Sequence, residues 1–206
     1  MTKPLRLHAF ELSGHAHRVE LFLSLLGIPC ERIEVDLMKG AHKRPDFIAL
    51  NPFGKVPVLE DGDVVLPDSN AILVYLAMRY DETARWLPRD PVLAAKVQRW
   101  LSVAAGELAA GPGAARLVNV FGAKLDHEQA KRVAASLYDV MDRVLSSSPY
   151  LVSAEPTLAD VALYSYTAVA GEGDISLEPW PHVRAWLTRI EALPGFVPMH
   201  RTRTAA

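Results

Sequence analysis

The hydrophobic period changes twice within the first 36 residues, and this restricts the fold more than any other feature of the chain. From Leu5 to Ala9 apolar and polar residues alternate, Leu5, Leu7 and Ala9 against Arg6 and His8, the period of a half-buried strand. From Gly14 onward Val19, Phe22, Leu23 and Leu26 take helical spacing, and Gly27 supplies a stop. Residues 30–36, CERIEVD, return to strand character through Ile33 and Val35. Strand, helix and strand in so short a length imply a parallel pair joined by a right-handed crossover.

The next segment adds an antiparallel half. A polar stretch over 38–45 leads to a short helical piece over 46–50 and to the turn Asn51-Pro52-Phe53-Gly54. Two apolar runs, 56–60 and 64–66, flank Asp61-Gly62-Asp63, and Asp-Gly between short strands is a strong hairpin signal. Asp68 and Ser69 then stand before Ala71, Ile72, Tyr75 and Leu76, spaced as a helix with a ready cap. Residues 1–80 therefore read as one α/β domain. Residues 81–91, DETARWLPRDP, carry two prolines and five charged side chains and read as a linker. From 92 to 206 only helical periods occur: one from Leu93 through Trp100 and Ala104, one over 125–145, one over 159–169, and one marked by Trp186, Ile190 and Leu193.

Composition narrows the class of function. The chain has 206 residues, half of them apolar and 22% charged, which suits a buried core and excludes wholesale disorder. Twenty-two Lys and Arg against 24 Asp and Glu give 22 − 24 = −2, so no basic footprint for nucleic acid exists. The longest apolar run, residues 71–78, is far below the ~18 residues of a membrane span. The start of the chain alternates and then turns polar, unlike a secretory segment. One cysteine, Cys30, excludes an internal disulfide. The expected setting is cytoplasmic, with neither nucleic acid nor membrane as partner.

Three places carry chemistry. Ser13 sits where the first strand hands over to the first helix, among exposed N–H groups at a positive helix end. A hydroxyl there can donate to a thiolate and lower the pKa of a bound thiol; about two units correspond to about 2.7 kcal/mol. The plainer reading is that Ser13 only caps the helix. Asp68-Ser69 is a second site of this kind, where Ser69 suits a carboxylate and Asp68 an ammonium, with the same helix-cap alternative. Val56-Pro57 is the third: with a cis bond, Val56 can offer its N–H and C=O to a peptide as an added strand. His15-Ala16-His17 lacks a third ligand at fixed spacing, so no metal site is expected. Cys30, in the second strand, reads as a small hydrophobe. Gly111-Pro112-Gly113 should kink the long helix from Leu93 or split it into two. If the kink widens a cleft facing Ser13, Trp100, Leu108 and Arg116 lie near its wall. Arg201 and Arg203 fall in a tail expected to fray.

The order strand-helix-strand, then NPFGKVPVLEDG, then DVVLPDSNAILVYLAMRY, then an all-helical part, resembles the cytosolic glutathione transferases over essentially the whole chain. The nearest likeness is to bacterial, theta-like or nu-like members with Ser at the activating position. Pro156-Thr157-Leu158-Ala159-Asp160 resembles the family's helix-capping box. The resemblance implies a thioredoxin-like domain over 1–80 and a helical domain over 92–206 that contributes the electrophile site. It implies Ser13 as the residue that activates the glutathione thiol, and Lys39, His42 and Lys55 as partners of the glycine carboxylate. Val56 and Pro57 would meet the cysteinyl backbone, and Asp68 with Ser69 would hold the γ-glutamyl end. Asp68 stands where Glu is commoner in the family, one methylene shorter. Leu12, His15, Trp100, Leu108 and Arg116 are the candidates for the second substrate. Glutathione enters as co-substrate, with no resident cofactor, and a homodimer is implied. Glutathione-dependent disulfide reduction or peroxidation, or a binding module without catalysis, remain open alternatives at this point.

Overall fold

In the computed structural model, which describes residues 4–202, the chain divides into two compact units. One runs to Glu82 and takes back Pro194–His200; the other begins at Thr83, runs to Leu193 and resumes at Arg201.

The first unit holds β1 (Leu5–Ala9), α1 (Gly14–Leu25), β2 (Cys30–Glu34), α2 (Pro45–Leu50), β3 (Val58–Asp61), β4 (Val64–Pro67) and α3 (Ser69–Tyr80). The sheet order is β2-β1-β3-β4. β1 and β2 are parallel with Leu5 opposite Cys30 and Ala9 opposite Glu34, whereas β3 is antiparallel to both β1 and β4. β3 starts at Val58 rather than at 56, because Pro57 has no N–H to give the ladder. The apolar side chains of β1 and β3, namely Leu7, Ala9, Val58 and Leu59, are buried along with Val19, Phe22, Ile72 and Leu76 of α1 and α3. Val35, Phe47 and Val58 form a smaller cluster with Leu50 and Val56 packed against it.

The register decides where the site can be. His8 is opposite Val58, and Val58 is opposite Pro67. The loop after β1 carrying Ser13, the Val56–Pro57 step before β3, and Asp68-Ser69 after β4 therefore leave the sheet at one end. The chain leaving parallel β2 toward the 3-10 turn Ala41–Lys43 departs from that same end. Ligands in open α/β sheets gather outside the carboxyl ends of parallel strands, and this is that end.

The second unit is helical: α4 (Pro91–Ala105), α5 (Ala114–Phe121), α6 (His127–Leu145), α7 (Leu158–Ala168) and α8 (Pro181–Glu191). The long helix expected from Leu93 is neither simply kinked nor looped. α4 ends at Ala105, and a π-helical turn over Ala109–Gly113 takes in Pro112 before α5 begins. Gly111 explains the local path: a Cβ there would stand 2.8 Å from the backbone N of Ala134 on α6, so the wide turn is pressed onto that helix. At α7, Asp160 Oδ2 accepts from Thr157 N (2.8 Å) and Thr157 Oγ1 (3.2 Å). Its Oδ1 accepts from Leu151 N (3.0 Å) and Trp186 Nε1 (2.9 Å).

Three expectations about organisation are corrected. Residues 81–91 do not stand apart as a linker: the first unit runs to Glu82 and the second starts at Thr83, where Trp86 is buried and its C=O accepts from Leu158 N at 2.9 Å. The helical domain does not hold everything after 92, since Pro194–His200 belongs to the first unit. The tail does not fray as far as Thr202. Arg201 donates to Ala168 O (3.2 Å), and Glu172 Oε1 accepts from Thr202 N (2.6 Å) and Oγ1 (2.8 Å). Arg203 lies outside the described residues.

Candidate active site

Ser13 is the N-cap of α1. Its Oγ accepts from Ala16 N at 3.2 Å in the extended conformation typical of a cap (φ −84°, ψ 113°). A hydroxyl has two acceptor lone pairs and one proton, so capping leaves the O–H to give. The cap does not use the N–H groups of Gly14 and His15, which stand at the positive end of a twelve-residue helix.

Asp68-Ser69 opens α3 with a division of labour. Asp68 Oδ1 accepts from Asn70 N and Ala71 N, both at 2.9 Å, while its backbone takes a positive φ of 76°. Ser69 is buried, and its Oγ accepts from Arg18 NH1 at 3.1 Å. Arg18, 1% exposed, also donates to Asn70 Oδ1 at 2.7 Å. Two elements are thus tied by a buried guanidinium. Arg18 and Asn70 escaped the sequence reading. The available signal was a charged residue in the apolar register of α1, beside Val19 and Phe22.

His15 belongs to this cluster. Its Nδ1 lies 3.5 Å from Ser69 Oγ, and burial, then the Arg18 and Lys55 charges, push its pKa down to about 3. Its imidazole is therefore neutral at ordinary pH, beside Ser69 rather than set apart for a second substrate. Lys55 is exposed, and its C=O accepts from Asn51 Nδ2 at 2.7 Å. Asn51, buried, also takes Phe53 N (3.1 Å) and so shapes the whole Asn-Pro-Phe-Gly-Lys turn. Gly54 (φ +57°) rests on His42: a Cβ there would stand 3.0 Å from His42 O, which places His42 beside the loop bearing Lys55. His42 Nδ1 is buried without a hydrogen-bond partner among the described residues. Lys39 is exposed and engaged with Asp36 at 3.1 Å.

The Val56–Pro57 bond is cis. Among the described residues no hydrogen bond forms to the N–H or C=O of Val56, so both are available to a peptide-like ligand. Leu12 is half-buried next to Ser13.

Trp100, Leu108 and Arg116 are corrected: they are core, at 2%, 0% and 1% exposure. Trp100 Nε1 donates to Leu151 O (3.1 Å), and Arg116 is paired with Glu172 at 2.5 Å. Helical spacing marks a buried face, and here that face is spent on neighbouring helices of the same unit. Cys30 is at the far end of β1 from Ser13, opposite Leu5, and burial pushes its thiol up to about 11. Among the described residues no group of three or more His, Cys, Asp and Glu forms a metal cluster.

A mixed four-stranded sheet with a cis-Pro step and two helix N-termini at one end, followed by an all-helical unit, defines a thioredoxin-like domain joined to a helical one. Residues 12–79 match the family model for the glutathione S-transferase N-terminal domain, and residues 97–194 that for the C-terminal domain. Glutathione S-transferase 3 of Zea mays is 37% identical over 94% of this chain and 91% of its own. A glutathione S-transferase from Pseudomonas fluorescens superposes with a TM-score of 0.90 at 33% identity, over 97% of this chain and all of that one. A glutathione transferase homolog from Drosophila mojavensis, solved with bound glutathione, gives 0.84 at 26% identity, over 94% and 90%. The chain belongs to the glutathione S-transferase family, and it is a glutathione transferase.

Proposed function

We propose that Ser13 donates a hydrogen bond from its hydroxyl to the glutathione thiolate and that the attacking sulfur stands at the N-terminus of α1. The observation that carries this is the convergence of Ser13, Val56 and Asp68-Ser69 at one sheet end, with the Ser13 cap leaving its O–H unspent. The cysteinyl N–H and C=O pair with Val56, the γ-glutamyl carboxylate takes Ser69, and Asp68 takes the ammonium. Lys55 and His42 face the glycine carboxylate; Lys39 is the weaker candidate because Asp36 already holds it. The thiol proton leaves to solvent, the sulfur forms a bond to carbon, and the electrophile loses its leaving group or opens its ring. Half-buried Phe10 and Leu12 beside Ser13 suit a small, largely apolar electrophile. Glutathione is a co-substrate here, not a resident cofactor.

Transfer rather than redox chemistry is favoured by the absence of a thiol in Ser13-Gly14-His15-Ala16 and by the position and raised pKa of Cys30. No described helix is long and apolar enough to cross a membrane. A homodimer packing across α3 and α4 is supported by Met78, 77% exposed, and Val92, 61% exposed. The test is ultraviolet titration of the glutathione thiolate with the purified protein. A saturable thiolate signal well below the free thiol pKa of about 8.5 supports the reading, and binding without that shift removes Ser13 from the chemistry.

A further inference from the structure

The segment Pro194–His200 lies along α1 from end to end. At the C-terminal end of that helix Gly195 (φ +83°) is so close that a Cβ would stand 2.7 Å from Ser24 O and 3.3 Å from Leu25 Cα. Further along, Val197 O accepts from His17 Nε2 at 3.0 Å, a contact 180 residues apart in sequence. At the N-terminal end His200 Nδ1 is 3.2 Å from Glu11 Oε1, two residues before Ser13. Met199 is buried between the last two contacts.

His17 is the buried member of this series, 3% exposed, and stands one helical turn above Ser13, whose C=O accepts from His17 N at 2.9 Å. Burial pushes its imidazole down to about 4, so the ring is neutral at ordinary pH. With Val197 O as its partner, the ring proton sits on Nε2. The exposed His200–Glu11 pair contributes little alone, but its position shows that the segment reaches the Ser13 loop.

We propose that residues 194–200 form a strap that holds the first turn of α1, and that His17 is the positioning residue through which the strap keeps Ser13 aimed at the glutathione sulfur. The proposal rests on Ser13 being the thiol-activating group. A donor hydroxyl works only when held to a fraction of an ångström, since a misplacement of about 1 Å can cost about a hundredfold in rate. Within the loop itself Ser13 N bonds to Phe10 O (2.8 Å), and Glu11 N reaches Glu34 Oε1 at 3.3 Å on the surface. His17 adds a buried tie that local structure does not supply.

Three variants test this: His17→Leu, which keeps bulk and removes the donor; His17→Gln, which returns an amide N–H near the Nε2 position; and Gly195→Ala, which lifts the strap from its other end. Two readouts are needed, hydrogen exchange of the amides of residues 13–18 in the ligand-free protein and the pKa of bound glutathione. His17→Leu and Gly195→Ala are expected to speed exchange there by about tenfold or more and to raise the bound thiol pKa by about one unit, with kcat falling more than KM rises. His17→Gln should restore both. A lowered melting temperature with unchanged exchange at 13–18 and unchanged thiol pKa overturns the proposal and leaves His17 as ordinary core. A wild-type protein without any thiolate signal sinks the Ser13 reading instead, and the exchange data then decide alone whether the strap exists.

Discussion

Ser13 and Ser69 look alike in sequence, each opening a helix, yet the structure gives them different partners and therefore different mutant signatures. Ser13→Ala should cost about 1 kcal/mol of stability for the lost Ala16 cap and leave glutathione affinity within a few-fold. Its diagnostic effect is a rise of at least about one unit in the bound thiol pKa, read from thiolate absorbance. Ser69→Ala removes an acceptor from buried Arg18, so both glutathione affinity and stability should fall, the latter by about 1–3 kcal/mol in urea titration. Unaltered affinity would reduce Ser69 to a packing role. His17 adds a pH signature. Its folded pKa of about 4 lies below the unfolded value of about 6.5, so between those values the unfolded chain binds the extra proton. Stability should thus be complete above about pH 6.5 and fall as pH drops toward 4, with a slope approaching about 1.4 kcal/mol per unit. His15, shifted in the same direction, steepens it. A shallower fall in stability from pH 7 to 4.5 in His17→Leu than in the wild type, with the His15 share remaining, would locate the effect.

At the scale of elements, the capping box of α7 carries the sharpest expectation. Asp160 is buried and takes four donors from Leu151, Thr157 and Trp186. Asp160→Ala orphans several of them at about 1–3 kcal/mol each, so destabilisation of about 3 kcal/mol or more is expected, with an unchanged thiol pKa in the protein that remains folded. An equal loss of thiolate would mean that α7 reaches the chemistry. The sequence made this box legible because its residues sit three apart, as it made β1, α1, the hairpin and α3 legible through periods of two and 3.6. What it could not show is what a buried face packs against. Trp100, Leu108 and Arg116 read as cleft wall and as core on the same spacing, and only the contacts with Leu151 and Glu172 separate the two. The convergence of Ser13, Val56 and Ser69 was likewise invisible until the strand register placed their loops at one sheet end. Gly195 and His17 offered no local sign of each other, since 180 residues separate the Val197 contact.

For the whole molecule the open quantity is the number of chains in solution. A 22.6 kDa chain with a net charge of −2 has little self-repulsion to oppose association. Met78 on α3, Val92 on α4 and Phe53 in the turn before β3 are 77%, 61% and 84% exposed, large apolar side chains that water would be relieved of in an assembly. If a second copy covers α3 and α4, sedimentation equilibrium should give a mass near twice that of the chain. Met78→Glu and Val92→Glu should each weaken the assembly, because a carboxylate would then be buried at the contact without a partner. Phe53→Ser asks whether the turn takes part as well. Ser13 and Ser69 are unaffected by these changes, so thiolate formation measured at the same concentrations separates two cases. Loss of the dimer with an intact thiolate means that each chain completes its own glutathione site. Loss of both means that the second copy holds that site in shape. A mass of one chain at every concentration removes the homodimer and leaves the three side chains as ordinary exposed surface.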